Sequence, residues 1–502
     1  MRRSILPKTL IRHAHTQSPK RTVPKFSGRG KFNPETQEHD YVQEHDYTVT
    51  PYTYSYLASD NMEQFERFPL LSNLTLYKRK TRPVKSRMLA RDFIDDSLYN
   101  PHYGYFAKTA EIFSPDSPFR FKEMANIDDF LDEWSEEYKR ASADKDLNAS
   151  EVAKNQLDKL LAEKRTAKVN RQVWHTPTEL FHPYYGQALA RYIVGQFRSQ
   201  ADRSELVLYE MGAGNGTLMV DILDFLRDNE PEIYAKTHYN IIEISASLAL
   251  KQNVHSAGHR DRVTVTNQSV FEWSKRDERP CFFIALEVWD NFAHDCIRYD
   301  NTTNQPHQAY VVVDGNGDFT QVYSDRLDSL ASQFFSLREK INYKPTLQLG
   351  IHPLQKPRLL RQLKNSVYSF HGNLSSPEYI PTRYLQFLNV LNAKFPNHKL
   401  LASDFTNFDE HISGYCAPVI QTFMEGMPIT IPTYMALQGF FDIMFPTDFT
   451  FAAQLYEQVC NRKAIATSHG DFLKNWASKE TSTRTGEDPM LSFYRNTAFL
   501  TS

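Results

Sequence analysis

Three glycines at alternate positions, Gly212, Gly214 and Gly216, follow a glutamate, Glu210, in the stretch LVLYEMGAGNGTL. Leu206, Val207 and Leu208 lead into them, and Leu218, Val220, Ile222, Leu223 and Leu226 continue at helical spacing. That is a strand, a tight turn and the start of a helix. Glycine is needed where the backbone turns sharply and a ligand approaches the peptide groups, because a Cβ would collide. A dinucleotide fingerprint would place its third glycine at position 217, which is threonine, so the spacing disfavours a pyrophosphate cradle. Acids recur at the ends of later apolar runs. Glu243 closes YNIIE, where a carboxylate suits two hydrogen bonds to ribose hydroxyls. Glu287 and Asp290 follow CFFIAL, and Asp404 follows HKLLAS. Singly, each reads as a surface acid after a strand. Glu210, Glu243, Glu287 and Asp404, four acids on one edge with one heading a triple-glycine turn, make a site.

Placing those acids on one edge takes a sheet whose strands run the same way. The fold class is α/β, a doubly wound sheet with strands expected from Leu206 into the glycine turn and at 239–245, 263–269, 281–292 and 398–405. The run CFFIAL has the continuous apolar character of a strand covered on both faces. Hairpins are expected around Gly315-Asn316-Gly317 and around Glu425-Gly426. Ala90, Phe93, Ile94 and Leu98 mark a helix that Asn100-Pro101 stops, and a further helix over the second half of 176–197 leads to the glycine strand. Residues 122–172 read as an inserted helical hairpin: Phe130, Trp134 and Tyr138 share one face, Val152, Leu157, Leu160 and Leu161 another, and the charges between them read as solvated. Residues 87–121 and 173–478 are then the main domain, and 479–502 a tail.

The formal net charge of −2 gives no global field toward nucleic acid, and no apolar run is long enough to span a bilayer. Four cysteines lie far apart with no C-x-x-C, which suggests neither a disulfide framework nor a metal site. Residues 1–34 are rich in Arg and Lys, free of acids and able to form a short amphipathic helix, the make-up of a mitochondrial presequence directing import to the matrix. Residues 35–86 read as a connecting arm.

The E-x-G-x-G-x-G turn resembles motif I of class I S-adenosyl-L-methionine (SAM) methyltransferases. With YNPHYGYF (99–106), TPTEL (176–180), IIEISASL (241–248) followed by Gln252, and ALEVWDNF (285–292), the chain resembles the MidA family of mitochondrial complex I assembly methyltransferases. The resemblance continues weakly in LLASDF and DIMFPTDF and covers roughly residues 87–460 outside the insertion. It implies a class I SAM-methyltransferase sheet with a C-terminal hairpin and extra elements over the active site. It also implies symmetric dimethylation of an arginine in the 49-kDa-type subunit of complex I. By position, Glu210, Gly212, Gly214 and Gly216 would hold SAM, Glu243 its ribose, and Glu287 and Asp290 would stand near the methyl group as catalytic candidates. The substrate side departs from the family: its asparagine before the glutamate is Leu286, and its D-Y-G is Asp404-Phe405-Thr406. That departure is what a SAM-binding assembly chaperone without methyl transfer would show, and this reading stands as the alternative.

Overall fold

The computed structural model of the protein describes residues 31–33, 38–40, 67–108, 110–153, 172–300, 303–343, 374–408, 417–424 and 427–502. Residues 1–30 and 34 of the expected presequence, most of the arm, and residues 154–171 of the expected hairpin lie outside those residues.

Every residue of the strand Leu206–Met211 (β1) is buried, as a strand between two helical layers must be. Leu206 and Leu208 enter one core with Tyr239, Ile241, Phe282 and Ile284; Val207, Tyr209 and Met211 enter the other with Ile242, Phe283 and Ala285. The period of two along the strand distributes them. β1 pairs in parallel with Thr237–Glu243 (β2) on one side, and Val263–Asn267 (β3) lies beyond it. On the other side it pairs with Cys281–Leu286 (β4), followed by His398–Phe405 (β5), again parallel. Ile465–Ser468 (β6) and Thr497–Thr501 (β7) complete the sheet, β7 lying between β5 and β6 and antiparallel to both.

The order β3-β2-β1-β4-β5-β7-β6 is that of a doubly wound α/β sheet. The chain leaves β1 toward one edge and later returns to build the other, so a crevice opens beyond the carboxyl ends of β1 and β4. Helices Tyr184–Arg198, Thr217–Asn229 and His469–Trp476 cover one face. Ser329–Ile341, Thr382–Lys394 and Phe449–Cys460 cover the other. A third core joins the helix Ala90–Tyr99 to a second sheet, built from Ser86–Leu89, Asp295–Tyr299, Pro306–Val313, Phe319–Ser324 and Glu378–Ile380. A small sheet of Val419–Met424, Met427–Thr430 and Asp442–Met444 packs into the same core.

Three expectations about domain edges are corrected. The segment 479–502 is no tail, because its residues 497–501 form β7, where Phe499 stacks on Phe472 at 3.9 Å and is fully buried. The end of the arm is likewise part of the fold: Leu71 and Leu76 enter the third core, and Leu71 N donates to Arg87 O at 2.8 Å. The insertion is not peripheral at its start. Phe130, on the helix Ile127–Ala153, is fully buried, with ring centroids 5.4 Å from Phe119 and 5.7 Å from Phe181 and Phe493, and Trp134 stands 5.4 Å from Phe493. Its aromatic stripe is narrow, but it closes a cluster formed by residues from both ends of the chain.

Phe130→Ala should therefore cost about 3–5 kcal/mol, the range for truncating a buried phenylalanine. Urea unfolding followed by circular dichroism measures it, and a change within 0.5 kcal/mol, roughly what a surface site gives, would restore the peripheral reading.

Candidate active site

The turn after β1 takes left-handed backbone at each glycine: φ is 70° at Gly212, 54° at Gly214 and 88° at Gly216. A Cβ on Gly212 would come within 2.8 Å of Val288 Cγ1, and one on Gly214 within 2.8 Å of Ile112 Cδ1. The turn is held from two directions. Glu179, 3% exposed, follows Thr176, whose hydroxyl caps the short helix Pro177–Leu180. Its Oε1 accepts from Asn215 Nδ2 at 3.0 Å and from Thr217 Oγ1 at 2.8 Å. From the other side Gln252 Nε2 donates to Gly214 O at 2.9 Å.

Glu243 ends β2 and is 2% exposed. Its Oε1 accepts from Ser245 N and its Oε2 from Gln252 Nε2, both at 2.8 Å. A carboxylate offers about four lone-pair positions, so two remain for hydroxyl groups. Burial raises its pKa above the ordinary carboxylate value. Glu210 sits lower, beneath the turn. Its Oε2 accepts from the Tyr239 hydroxyl at 2.8 Å, and burial, with the charge of Glu243 adding to it, pushes it up to about 7.

The end of β4 carries the second group of acids. Glu287 has φ 52°, left-handed backbone that a non-glycine residue adopts only when its surroundings enforce it. The enforcing group is Asp404 at the end of β5. Its Oδ2 accepts from the backbone N–H of Val288 at 3.1 Å, Trp289 at 2.7 Å and Asp290 at 3.4 Å, and Glu287 N donates to Ser403 O at 2.8 Å. Despite these donors, burial pushes Asp404 up to about 7. Asp404 is thus the support of the turn that carries the two catalytic candidates.

Glu287 and Asp290 face different neighbours. The Glu287 charge acts on the hydroxyls of Tyr185 and Tyr494, and its Oε1 is buried with no hydrogen-bond partner among the described residues. Asp290 accepts from Asn291 N at 2.9 Å, and its charge, like that of Asp442, acts on Tyr99. Asn291 links these pieces: its Nδ2 donates to Asp442 Oδ1 at 2.8 Å and its carbonyl accepts from the Tyr99 hydroxyl at 3.4 Å. Burial raises Glu287 and Asp290 well above the carboxylate range, with the Asp404 charge adding to both, and pushes Asp442 up to about 7. Sequence reading did not assign roles to Glu179, Gln252, Tyr99 or Asp442. Each stood inside a noted stretch, but only the tertiary fold shows which of its side chains face the crevice.

A family model described as "Putative S-adenosyl-L-methionine-dependent methyltransferase" matches residues 188–467, more than half of the 502-residue chain. The chain belongs to this methyltransferase family. A curated relative from Schizosaccharomyces pombe, named protein arginine methyltransferase NDUFAF7 homolog, mitochondrial, is 25% identical over 308 residues. That match spans 59% of this chain and 65% of the relative. Among solved structures, a Burkholderia thailandensis protein bound to S-adenosyl-homocysteine is 14% identical, covering 83% of this chain and 88% of that one with a TM-score of 0.48. A native structure of the same superfamily from that organism is 13% identical, covering 83% and 87% with a TM-score of 0.45.

The family's cofactor is SAM, and the residues present fit it. The turn has left-handed backbone at three glycines with no room for a Cβ at Gly212 or Gly214, Glu243 keeps free lone pairs at the tip of β2, and the buried Gln252 Oε1 has no partner among the described residues. Among those residues no cluster of His, Cys, Asp and Glu could hold a metal ion, and no helix is long and apolar enough to cross a membrane.

A side chain at Gly214 affects the fold as well as the ligand. Gly214→Val meets both a positive φ and Ile112, so it should abolish S-adenosylhomocysteine binding in calorimetry and also lower stability by about 1–3 kcal/mol. Unchanged affinity in a folded variant would remove the turn from the cofactor site.

Proposed function

We propose that this methyltransferase acts on protein arginine, with Glu287 and Asp290 addressing the acceptor guanidinium. One observation carries the reading. Asp290, Asp404 and Asp442 are buried and Glu287 half-buried at one edge, and among the described residues no Lys or Arg forms an ion pair with any of them. Other interior acids are either paired, Asp295 and Asp328 with Arg91, Glu378 with Arg338 at 2.8 Å and Asp95 with Arg383, or met by neutral side-chain donors, as Asp96, Glu179, Glu210 and Glu243 are. A buried carboxylate without a cation is either protonated or awaiting a positive ligand. An arginine side chain supplies the charge, and its planar fork matches carboxylates bidentately. The name of the 25%-identical relative supports the same acceptor.

Bound SAM supplies a methyl group already activated on a sulfonium. This chain's residues have to fix the cofactor, aim the nitrogen and remove a proton. The glycine turn and Glu243 hold the cofactor's amino-acid end and its ribose, with Glu210 at the end of β1 held by the Tyr239 hydroxyl. Guanidinium, with a pKa of ~13.8, stays protonated and is a poor nucleophile. Carboxylates gripping part of it localise the charge there and free another nitrogen for in-line attack. The proton released on methylation passes to a carboxylate whose pKa burial has raised above the ordinary range, a property that suits a general base. We assign that role to Asp290, whose charge acts on Tyr99 as that of Asp442 does.

The finer reading follows the family resemblance and the word mitochondrial in the relative's name: symmetric dimethylation of a 49-kDa-type complex I subunit in the matrix, reached through residues 1–34 as a presequence. The SAM-binding chaperone is the outcome in which cofactor binds and nothing is methylated.

Glu287→Gln and Asp290→Asn should each keep S-adenosylhomocysteine affinity and lose ~100-fold or more in transfer of labelled methyl to a mitochondrial extract. Wild type that methylates no arginine in that extract would sink the enzyme reading. The pH dependence has a definite sign. Asp404 and Asp442 stand at about 7 when folded against 3.8 as free groups, so the acceptor-free protein holds extra protons and loses stability as pH rises through that window. Methyl transfer, which uses the ionised forms, should rise from pH 6 to 8, and an arginine acceptor peptide should raise the melting temperature more at pH 8 than at pH 6. A flat profile in both would count against the acid cluster as the acceptor site.

A further inference from the structure

Gln252 stands between the two parts of the cofactor site and touches both. It lies on the helix Ala246–His255 that follows β2, and its side chain is fully buried. An amide nitrogen carries two hydrogens. Here one goes to Gly214 O at 2.9 Å, in the middle of the turn, and the other to Glu243 Oε2 at 2.8 Å. The amide's orientation follows from its partners, since both are acceptors and a flipped amide would set Oε1 against them. Gln252 Cγ also packs beneath the turn, 3.4 Å from where a Cβ on Gly216 would lie. The other acceptor of the amide, Oε1, is buried without a partner among the described residues.

We propose that Gln252 is a positioning residue that couples ribose recognition to the conformation of the glycine turn. The proposal rests on Glu243 as the ribose acid. A hydroxyl pair arriving at Glu243 fixes the carboxylate, the carboxylate fixes the amide, and the amide fixes the carbonyl of Gly214. The turn needs such a constraint, because three left-handed glycines in five residues define a backbone with many alternatives when unrestrained. Glu179 restrains Asn215 and Thr217, and Gly216 N donates to Ala213 O at 2.8 Å, but among the described residues the hydrogen bond to Gly214 itself comes from Gln252. By reciprocity, ordering the turn around the cofactor's amino-acid end strengthens the grip on the ribose.

The test compares S-adenosylhomocysteine with its 2′-deoxy analogue, which keeps the amino-acid end and loses one ribose hydroxyl. Calorimetry on the full chain should show the analogue roughly ten- to hundredfold weaker, the loss of a hydrogen bond to a charged group. Equal affinity would refute Glu243 as the ribose acid and the coupling with it. At saturation with each ligand, amide hydrogen exchange over 212–216 should be slower with S-adenosylhomocysteine than with the analogue. If the analogue binds weaker yet protects the turn equally, Glu243 keeps its role and the coupling is overturned. Gln252→Met keeps the size and removes both donors. In that variant the two saturating ligands should protect the turn alike, and a persisting difference would overturn the proposal. Should the variant fail to fold, the wild-type comparison still decides.

Discussion

The crevice exists because β1 is the strand at which the chain reverses its direction of travel across the sheet, and because β1, β2, β4 and β5 all end on the same side. Each of those four strands ends in, or is extended by, an acid, and the sheet's parallel register brings Glu210, Glu243, Glu287 and Asp404 to one edge. An antiparallel neighbour would send alternate strand ends to the opposite side. β7 is antiparallel, and it lies beyond β5, away from the site. Parallel pairing of the central strands is therefore the constraint from which both the cofactor turn and the acid group follow.

Within that frame the four acids divide by what holds them. Glu210 and Asp404 act downward on the scaffold, through the Tyr239 hydroxyl and through three backbone N–H groups of the turn after β4. Glu243 is spoken for on both oxygens yet keeps lone pairs toward the crevice. Glu287 and Asp290 are carried rather than carrying. Their turn is strained at Glu287 and supported by Asp404, an arrangement that fixes two carboxylates which no Lys or Arg among the described residues pairs with. The contrast with Arg91, Arg338 and Arg383, each beside an acid, gives that edge its chemical character.

The glycine turn, the five parallel strands and Glu243 were legible in the sequence because each depends on local pattern: apolar runs, glycine spacing, an acid at a strand end. What was not legible depends on partners distant in the chain. The helix Ala90–Tyr99 shows one apolar face in its sequence, yet Arg91, Asp92, Asp95 and Asp96 on its other faces are buried as well. Their countercharges and hydrogen bonds come from Asp295, Asp328, Arg383, Tyr103 and Gln438, most of them hundreds of residues away, and nothing local marks those charges as interior. The charged helix after Ile127 misled for the opposite reason: its three-residue aromatic stripe was visible, but the abundant acids around it read as a solvated face although the stripe belongs to the core. β7 is five residues with no alternation to announce it.

That last strand has a consequence for how the molecule is made. Thr497–Thr501 pairs with β5 through residues 401–405 and with β6 through residues 465–468. During vectorial synthesis the parallel strands are present long before it, and until it emerges the far side of β5 is an open edge of unsatisfied N–H and C=O groups, the kind of edge that invites a foreign strand. The nascent domain thus has every residue of its cofactor turn in hand while β5 and β6 still lack the strand that joins them.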